Sequence, residues 1–384
     1  MENLYWVGIR ESEIEFCKEF FTNSITIFGN TNISMQQKLN KVIDHNNVKN
    51  FELIDDFFNE EMKKLVKENP DTRFMYYSQI NSYDSVKEIG LLDNVICLNN
   101  QDLINYISNK FELKKLFKNI VPILDYKILS GKYCNYDYLS KIFNTSDGAF
   151  VIQSSTGSGG SGTLVLNNKN EQNLDTSKNQ NYMVTRYCEN NIPINIHVLI
   201  SKNKILILPG SLQIIQNINN KLAYKGCDYI AYNNINNKLI EKIEQYAYKV
   251  AEKLRQKGYL GICGIDSIIY NDEIYLMEVN TRFQNSSTVL NLALKENNLP
   301  SLQELNISCF SNNDITLKKF DVNYSCYIKE KNTRIDKIEF EPIIKLDNIN
   351  SNVYVEDYSY AGSLIYDKSI IDFISLWCHI STRN

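Results

Sequence analysis

The sequence predicts an α/β protein: an open, largely parallel sheet over the first hundred-odd residues, then a larger unit organised around a β-hairpin. Three observations predict it. Short apolar runs alternate with longer stretches of helical spacing as far as residue 100. A Ser/Gly-rich loop follows an apolar run at Phe150-Val151-Ile152. An apolar hairpin over Gly261–Gln284 carries two acids, an amide and an arginine. Strands alternating with helices are the pattern of a parallel sheet with crossover connections.

In chain order, Tyr5–Ile9, Ile25–Gly29, Arg73–Tyr77 and Asn94–Leu98 read as strands, short apolar runs of which the first two are closed by Gly or charge. Ile54, Phe57, Phe58, Met62, Leu65 and Val66 lie on one helical stripe between them. Residues 101–117 are helix-rich and locally basic, with Lys110, Lys114, Lys115 and Lys118. In 154–163, Gly157, Gly159, Gly160 and Gly162 are interleaved with Ser154, Ser155, Ser158 and Ser161. The polar stretch 167–181 reads as a loop. Tyr182–Val184, Asn195–Leu199 and Lys204–Leu208 read as strands. Leu239, Ile243, Tyr246, Ala247, Val250 and Leu254 form a helical stripe that Lys257-Gly258 stops. Residues 225–229 read as a loop beside the site. The last seventy or so hold short strand-like pieces and no readable site.

Composition narrows the function. A length of 384 residues suits two or three domains. An apolar fraction of 43% with 22% charged excludes wholesale disorder. A net charge of −4 argues against a nucleic-acid partner. No apolar run approaches the roughly 20 residues a bilayer requires, so no membrane association is expected. The amino terminus has no signal-peptide apolar stretch, and nine cysteines without a Cys-x-x-Cys pair read as reduced thiols; the expected location is cytoplasmic. His45, His197 and His379 are too few for a multi-histidine metal site, and His197 on an apolar strand reads as a core or pocket histidine.

The hairpin carries the chemistry. Side chains alternate faces along a strand, so Glu278, Asn280 and Arg282 share one face if the strand runs that far. A three-residue turn at Asn271–Glu273 pairs Tyr270 with Ile274 and sets Asp266 across from Glu278; a two-residue turn would put them on opposite faces. Opposed carboxylates repel, and the apolar residues around them imply burial. Two such acids plus the amide of Asn280 suit Mg²⁺, with Mn²⁺ as a substitute, and Arg282 can grip a phosphate beside it. The Ser/Gly loop offers backbone N–H groups and hydroxyls to phosphate, although a flexible linker has the same composition.

These residues resemble the ATP-grasp superfamily, in its carboxylate–amine (amino-acid or peptide) ligase type. The resemblance rests on Gly264-x-Asp266 followed by Glu278-Val279-Asn280-Thr281-Arg282, on the flap after Ile152, on Tyr182–Glu189 as the adenine hinge and on Asn109-Lys110. It implies a two-part ATP-grasp fold with a small lid subdomain behind the amino-terminal α/β domain. The implied boundaries are 1–107 (preceding domain), 108–187 (lid with flap), 188–310 (catalytic subdomain) and 311–384 (β-containing extension). Asp266, Glu278 and Asn280 would hold Mg²⁺, and Arg282 would act on the transferring phosphoryl group. Lys110, Gln153, Ser155, Gly157, Ser158, Gly159, Gly160, Gly162, Thr185, Arg186 and Cys188 would contact ATP. Lys110 also reads as one of four lysines on a solvated helix, and Arg186 as a surface arginine. Gln153 departs from the family's usual lysine, and Thr185 from its frequent glutamate. The implied activity joins a small carboxylic acid, activated as an acyl phosphate, to an amine with release of ADP and phosphate. A non-catalytic ATP-binding module and an enzyme with a non-amine acceptor are the alternatives, and a homodimer is the family-level expectation. Asn285–Leu290 lacks the acidic and histidine residues that follow this arginine in biotin carboxylase, which argues against carboxylation.

Overall fold

Apolar runs flanked by helices on both sides bury both faces of a strand, and the amino-terminal sheet is of this kind. In a computed structural model, which describes residues 3–29, 33–35, 50–79, 83–157, 162–168, 180–218, 220–311, 315–330, 341–346 and 360–371, strands β1 (Leu4–Arg10), β2 (Asn23–Phe28) and β3 (Arg73–Tyr76) form a parallel sheet in the order β2-β1-β3. Helix Asn50–Glu68 lays Phe57, Phe58 and Met62 against Ile25, Ile27 and Phe74. The strand expected at Asn94–Leu98 is reduced to one parallel bridge between Val95 and Phe74. Leu92–Asn94 is a 3₁₀ turn, and Cys97 sits at φ 61°, which turns the chain out of the sheet before a ladder can form.

The second sheet is small and antiparallel. Strands β4 (Tyr126–Ser130), β5 (Ala149–Gln153), β6 (Thr163–Asn167) and β7 (Asn181–Arg186) take the order β4-β7-β5-β6. Leu139 and Phe143, at the end of helix Tyr136–Ile142, pack on Phe150, Ile152, Leu166 and Val184. The Ser/Gly loop is the connection between β5 and β6.

The third sheet joins β8 (Ile192–Ile200), β9 (Ile205–Ile218), β10 (Lys221–Asp228), β11 (Gly261–Tyr270), β12 (Glu273–Asn280), β13 (Ser325–Glu330), β14 (Ile344–Leu346) and β15 (Tyr360–Tyr366) in the order β12-β11-β8-β9-β10-β13-β15-β14. Residues 225–228, read as a loop from the sequence, lie in β10, where the register against β9 shifts between Tyr224 and Gly226; the irregularity there is a bulge inside a strand. One face of the sheet packs Ile194, Ile196, Val198, Cys263, Ile265 and Val279 on helix Asn237–Gln256, which ends at Gly258 with φ +88°. The other face packs on helices Ser287–Glu296 and Leu302–Phe310 and on Trp6 and Met75 of the first sheet. There the Trp6 and Phe283 rings meet edge to face at 5.2 Å, Phe283 N donates to Tyr77 O at 3.2 Å, and Ser78 bridges Arg282. No helix among the described residues is long and apolar enough to cross a membrane.

Candidate functional site

The acids of β11 and β12 do face one another: Asp266 pairs with Glu278, Ile265 with Val279 and Gly264 with Asn280. The route to that register differs from the one the spacing suggested. The turn has two residues, with Tyr270 opposite Glu273. Asn271 at φ 50° and Asp272 at φ 60° supply the two left-handed positions that a tight hairpin turn needs. Such a turn alone would put the acids on opposite faces. A bulge between Asp266 and Ser267 restores the parity: Ser267 pairs with Leu276, Asp266 with Glu278, and Met277 is the extra residue.

Asp266 is enclosed by amides. Its Oδ1 accepts from Asn195 Nδ2 at 2.6 Å and Gln213 Nε2 at 2.9 Å, and its Oδ2 accepts from Asn280 Nδ2 at 2.8 Å. Burial, and then the charge of Glu278, push its carboxyl up to about 6. Half-buried, mutually repelling acids backed by an amide carbonyl make an oxygen donor set suited to a hard divalent cation. The described residues hold no cluster of three or more His, Cys, Asp or Glu, so an amide oxygen would have to complete any such set.

Lys110 lies on this site and is no surface lysine. Asn109 caps helix Lys110–Phe117, its side chain accepting from Phe111 N at 2.9 Å and Glu112 N at 3.3 Å. The cap fixes Lys110 in the first turn with only 3% of its surface exposed. Its Nζ meets Glu278 Oε2 at 2.8 Å and donates to Gly157 O at 3.3 Å, and its backbone N donates to Ser155 O at 2.8 Å. One residue therefore joins the flap to the hairpin. Lys114, one turn on, is also buried; it donates to Leu276 O, and burial with the nearby Lys110 charge draws it down to about 7. The four-lysine solvated helix is thereby corrected: Lys115 and Lys118 are exposed, Lys110 and Lys114 are interior.

Arg282 sits beyond the end of β12. Its Nη2 donates to Asn280 Oδ1 at 3.1 Å, its Nη1 to Phe283 O at 2.9 Å, and its guanidinium lies 5.9 Å from the Tyr77 ring centre. His197 shares the face of Asn195 and is fully buried, with Nε2 2.9 Å from Ser287 Oγ. Burial, then the Arg282 charge, hold it down at about 3, so it stays neutral at physiological pH. Its folded-state value lies below the ordinary 6.5. The unfolded chain therefore binds the extra proton, and the stability His197 contributes is present above pH 6.5 and lost as pH falls. Unfolding free energies from urea titrations between pH 7 and pH 5 should fall by up to about 1.4 kcal/mol per pH unit below 6.5 from this group, and His197→Asn should flatten the slope.

The flap leaves the sheet at Gln153, whose Nε2 donates to Thr163 Oγ1 at 3.3 Å, and Ser154 N closes the loop on Gly162 O at 3.0 Å. Gly162 has φ +72°, and a Cβ there would meet Ser154 Oγ at 2.2 Å, so only glycine fits. Ser158, Gly159 and Gly160 lie outside the described residues. Thr185, Arg186 and Cys188 lie in or just after β7, and their side-chain bonds stay within the lid: Arg186 Nη2 donates to Phe143 O and to Asn144 O at 3.4 Å. The structure thus gathers Lys110, Ser155, Gly157, Asp266, Glu278, Asn280 and Arg282. It also adds Asn195, Gln213, Tyr77 and Lys114, which no motif marked; the four-residue spacing of Lys114 from Lys110 was the available signal for one of them.

Comparison with known proteins agrees with this geometry. A family model described as the ATP-grasp domain matches residues 107–286. The tyramine–L-glutamate ligase of Methanocaldococcus jannaschii is 39% identical over 85 residues, which are 22% of this chain and 25% of that protein. The match therefore spans about a quarter of the curated relative. Among solved structures, biotin carboxylase from Campylobacter jejuni superposes with a TM-score of 0.63 at 13% identity, covering 95% of this chain and 87% of the other. N5-carboxyaminoimidazole ribonucleotide synthetase from Thermotoga maritima gives 0.60 at 14% identity, covering 100% and 98%. At these identities the two structures speak for the fold. Residues 107–286 are an ATP-grasp domain.

Proposed function

We propose that the protein is an ATP-dependent carboxylate–amine ligase that activates a small carboxylic acid, an amino acid, as an acyl phosphate and joins it to an amine. The observation that carries this reading is the gathering of Asp266, Glu278, Asn280 and Arg282 on one face of the hairpin, with Lys110 linking them to the flap. The name of the tyramine–L-glutamate ligase supports an amino acid as the acid and an amine as the acceptor.

In this reading Asp266, Glu278 and Asn280 would hold Mg²⁺, which when bound would supply charge neutralisation for the phosphates. Lys110 and the backbone of residues 155–162 bind the triphosphate and exclude water. A carboxylate oxygen attacks the γ-phosphorus and the bond to the ADP oxygen breaks; the amine nitrogen then attacks the acyl carbon, phosphate leaves with the electron pair, and the nitrogen gives its proton to solvent. Arg282 is placed to stabilise the charge that spreads over the transferring phosphoryl group. No protein base is needed, in keeping with a His197 that is neutral at physiological pH.

The test is ADP release with a panel of amino acids and amines in the presence of Mg²⁺. Release that needs acid, amine and metal together supports the reading; no ADP from a broad panel overturns it, as does full release without a divalent ion. One observation favours a non-catalytic ATP-binding module: Gln153 is a neutral amide engaged with Thr163 at the base of the flap. A charge-assisted contact is worth about 1 kcal/mol more than a neutral one. Gln153→Lys should therefore lower the KM for ATP by about fivefold with little change in kcat, measured by initial rates.

A further inference from the structure

Glu278 faces Asp266 because β12 carries one residue more than β11, and the structure shows what fixes the place of that residue. From the turn the ladder runs Tyr270–Glu273, Ile269–Ile274, Ile268–Tyr275 and Ser267–Leu276. Continued without interruption, it would set Met277 against Asp266 and send Glu278 to the face of Ile265, which packs in the apolar core under helix Asn237–Gln256. The last regular pair before the interruption is the one at Leu276. Since β12 is an edge strand, the outward main-chain groups of Leu276 have no neighbouring strand to pair with. Both are taken by the segment that precedes β4: Leu276 N donates to Pro122 O at 3.1 Å, and Leu276 O accepts from Lys114 Nζ. Lys114 is 2% exposed and lies four residues after Lys110, which pairs with Glu278. One helix face therefore holds the strand on both sides of Met277.

We propose that Lys114 is a positioning residue: by binding the Leu276 carbonyl it pins the extra residue of β12 at Met277, so that Glu278 stands in the ladder opposite Asp266. Its meaning for catalysis rests on the function proposed above; its structural content does not. The apolar core already commits Val279 to the other face, so the lysine sets where the irregularity sits and leaves the overall facing of the strand to the core.

The register can be read directly by a disulfide. Opposed residues on adjacent antiparallel strands have Cα atoms about 4.5–5.5 Å apart, inside the roughly 4.4–6.8 Å that a disulfide spans. Asp266→Cys with Glu278→Cys, equilibrated in a thiol–disulfide buffer, should cross-link readily with Lys114 present. The yield should fall several-fold in Lys114→Met and recover in part in Lys114→Arg. Deleting Met277 makes the ladder regular with the same acid pairing, so in that background Lys114→Met should change the yield little. Circular dichroism confirms that each variant is folded, and the Met277 deletion supplies the comparison if Lys114→Met alone does not fold. On the wild-type acids, Mn²⁺ titrated in the presence of ATP and followed by electron paramagnetic resonance should bind about tenfold more weakly in Lys114→Met. Equal cross-linking in folded Lys114→Met, or an equal loss of yield with and without Met277, overturns the proposal. Absence of Mn²⁺ binding by the wild-type protein would count against the proposed function and leave the register result to stand alone.

Discussion

Glu278→Gln should reduce ADP release to below about 1% of the wild-type rate, since even the loss of groups that only orient metal ligands costs 10–100-fold. The substitution keeps the shape of the side chain and removes its charge. Two consequences follow from the geometry. The oxygen donor set loses its more accessible anion, so Mg²⁺ titrations of the variant should show a raised requirement that excess metal only partly overcomes. Lys110 also loses its ion partner at 2.8 Å while remaining enclosed. Stranding one member of a fully buried pair costs roughly 3–5 kcal/mol. Here the cost is smaller, because the Glu278 side chain is 30% exposed and water screens it. Pairing Glu278→Gln with Lys110→Met should recover stability, seen as a rise in the urea midpoint, and should not recover turnover. Wild-type rates in Glu278→Gln would remove the acid from the chemistry.

Arg282→Lys should lower kcat by about 10²–10³-fold with the KM for ATP changed only a few-fold, the signature of a group that acts on charge developing in the transition state. Lysine keeps the positive charge and loses the planar fork. Arg282 uses that fork to span Asn280 Oδ1 at 3.1 Å and Phe283 O at 2.9 Å, and so is fixed in direction before any substrate arrives. An ammonium is a point charge on a flexible stem and cannot hold both acceptors at once. Single-turnover measurements of acyl-phosphate formation, trapped with hydroxylamine, separate this from product release. An unchanged trapping rate in Arg282→Lys would move the arginine out of the phosphoryl-transfer step.

Much of the site could be read from the chain because its parts are local. Parity along a strand puts Glu278 and Asn280 on one face whatever else happens, and the Asn109 cap makes Lys110 the first residue of a helix. The opposition of Asp266 and Glu278 was reached through a three-residue turn that the molecule does not have. The actual two-residue turn and the displaced Met277 cancel in parity, and nothing within the hairpin reveals the second of these. The groups that fix it, Lys114 and Pro122, lie some 150 residues earlier and act on outward main-chain atoms that carry no sequence signature. The same holds for Asn195 and Gln213: single amides on apolar strands gain meaning only when β8 and β9 bring them to Asp266. At Asn94–Leu98 the apolar run was real but served packing, with Val95 contributing one bridge.

The stitch between Ser78 and Arg282 also dictates which part of the molecule is free to breathe. Main chain just after β3 is hydrogen-bonded to main chain just after β12, and the Trp6 ring is wedged against Phe283 beside it. A swing of the amino-terminal unit would drag the guanidinium out of alignment, so that unit and the hairpin must travel as one rigid jaw. The opposing jaw is the four-stranded sheet, held across the gap by isolated bonds such as Val165 N to Asn220 O at 2.8 Å and Lys110 Nζ to Gly157 O at 3.3 Å. On the function proposed above, nucleotide entry and product exit would fall to that jaw.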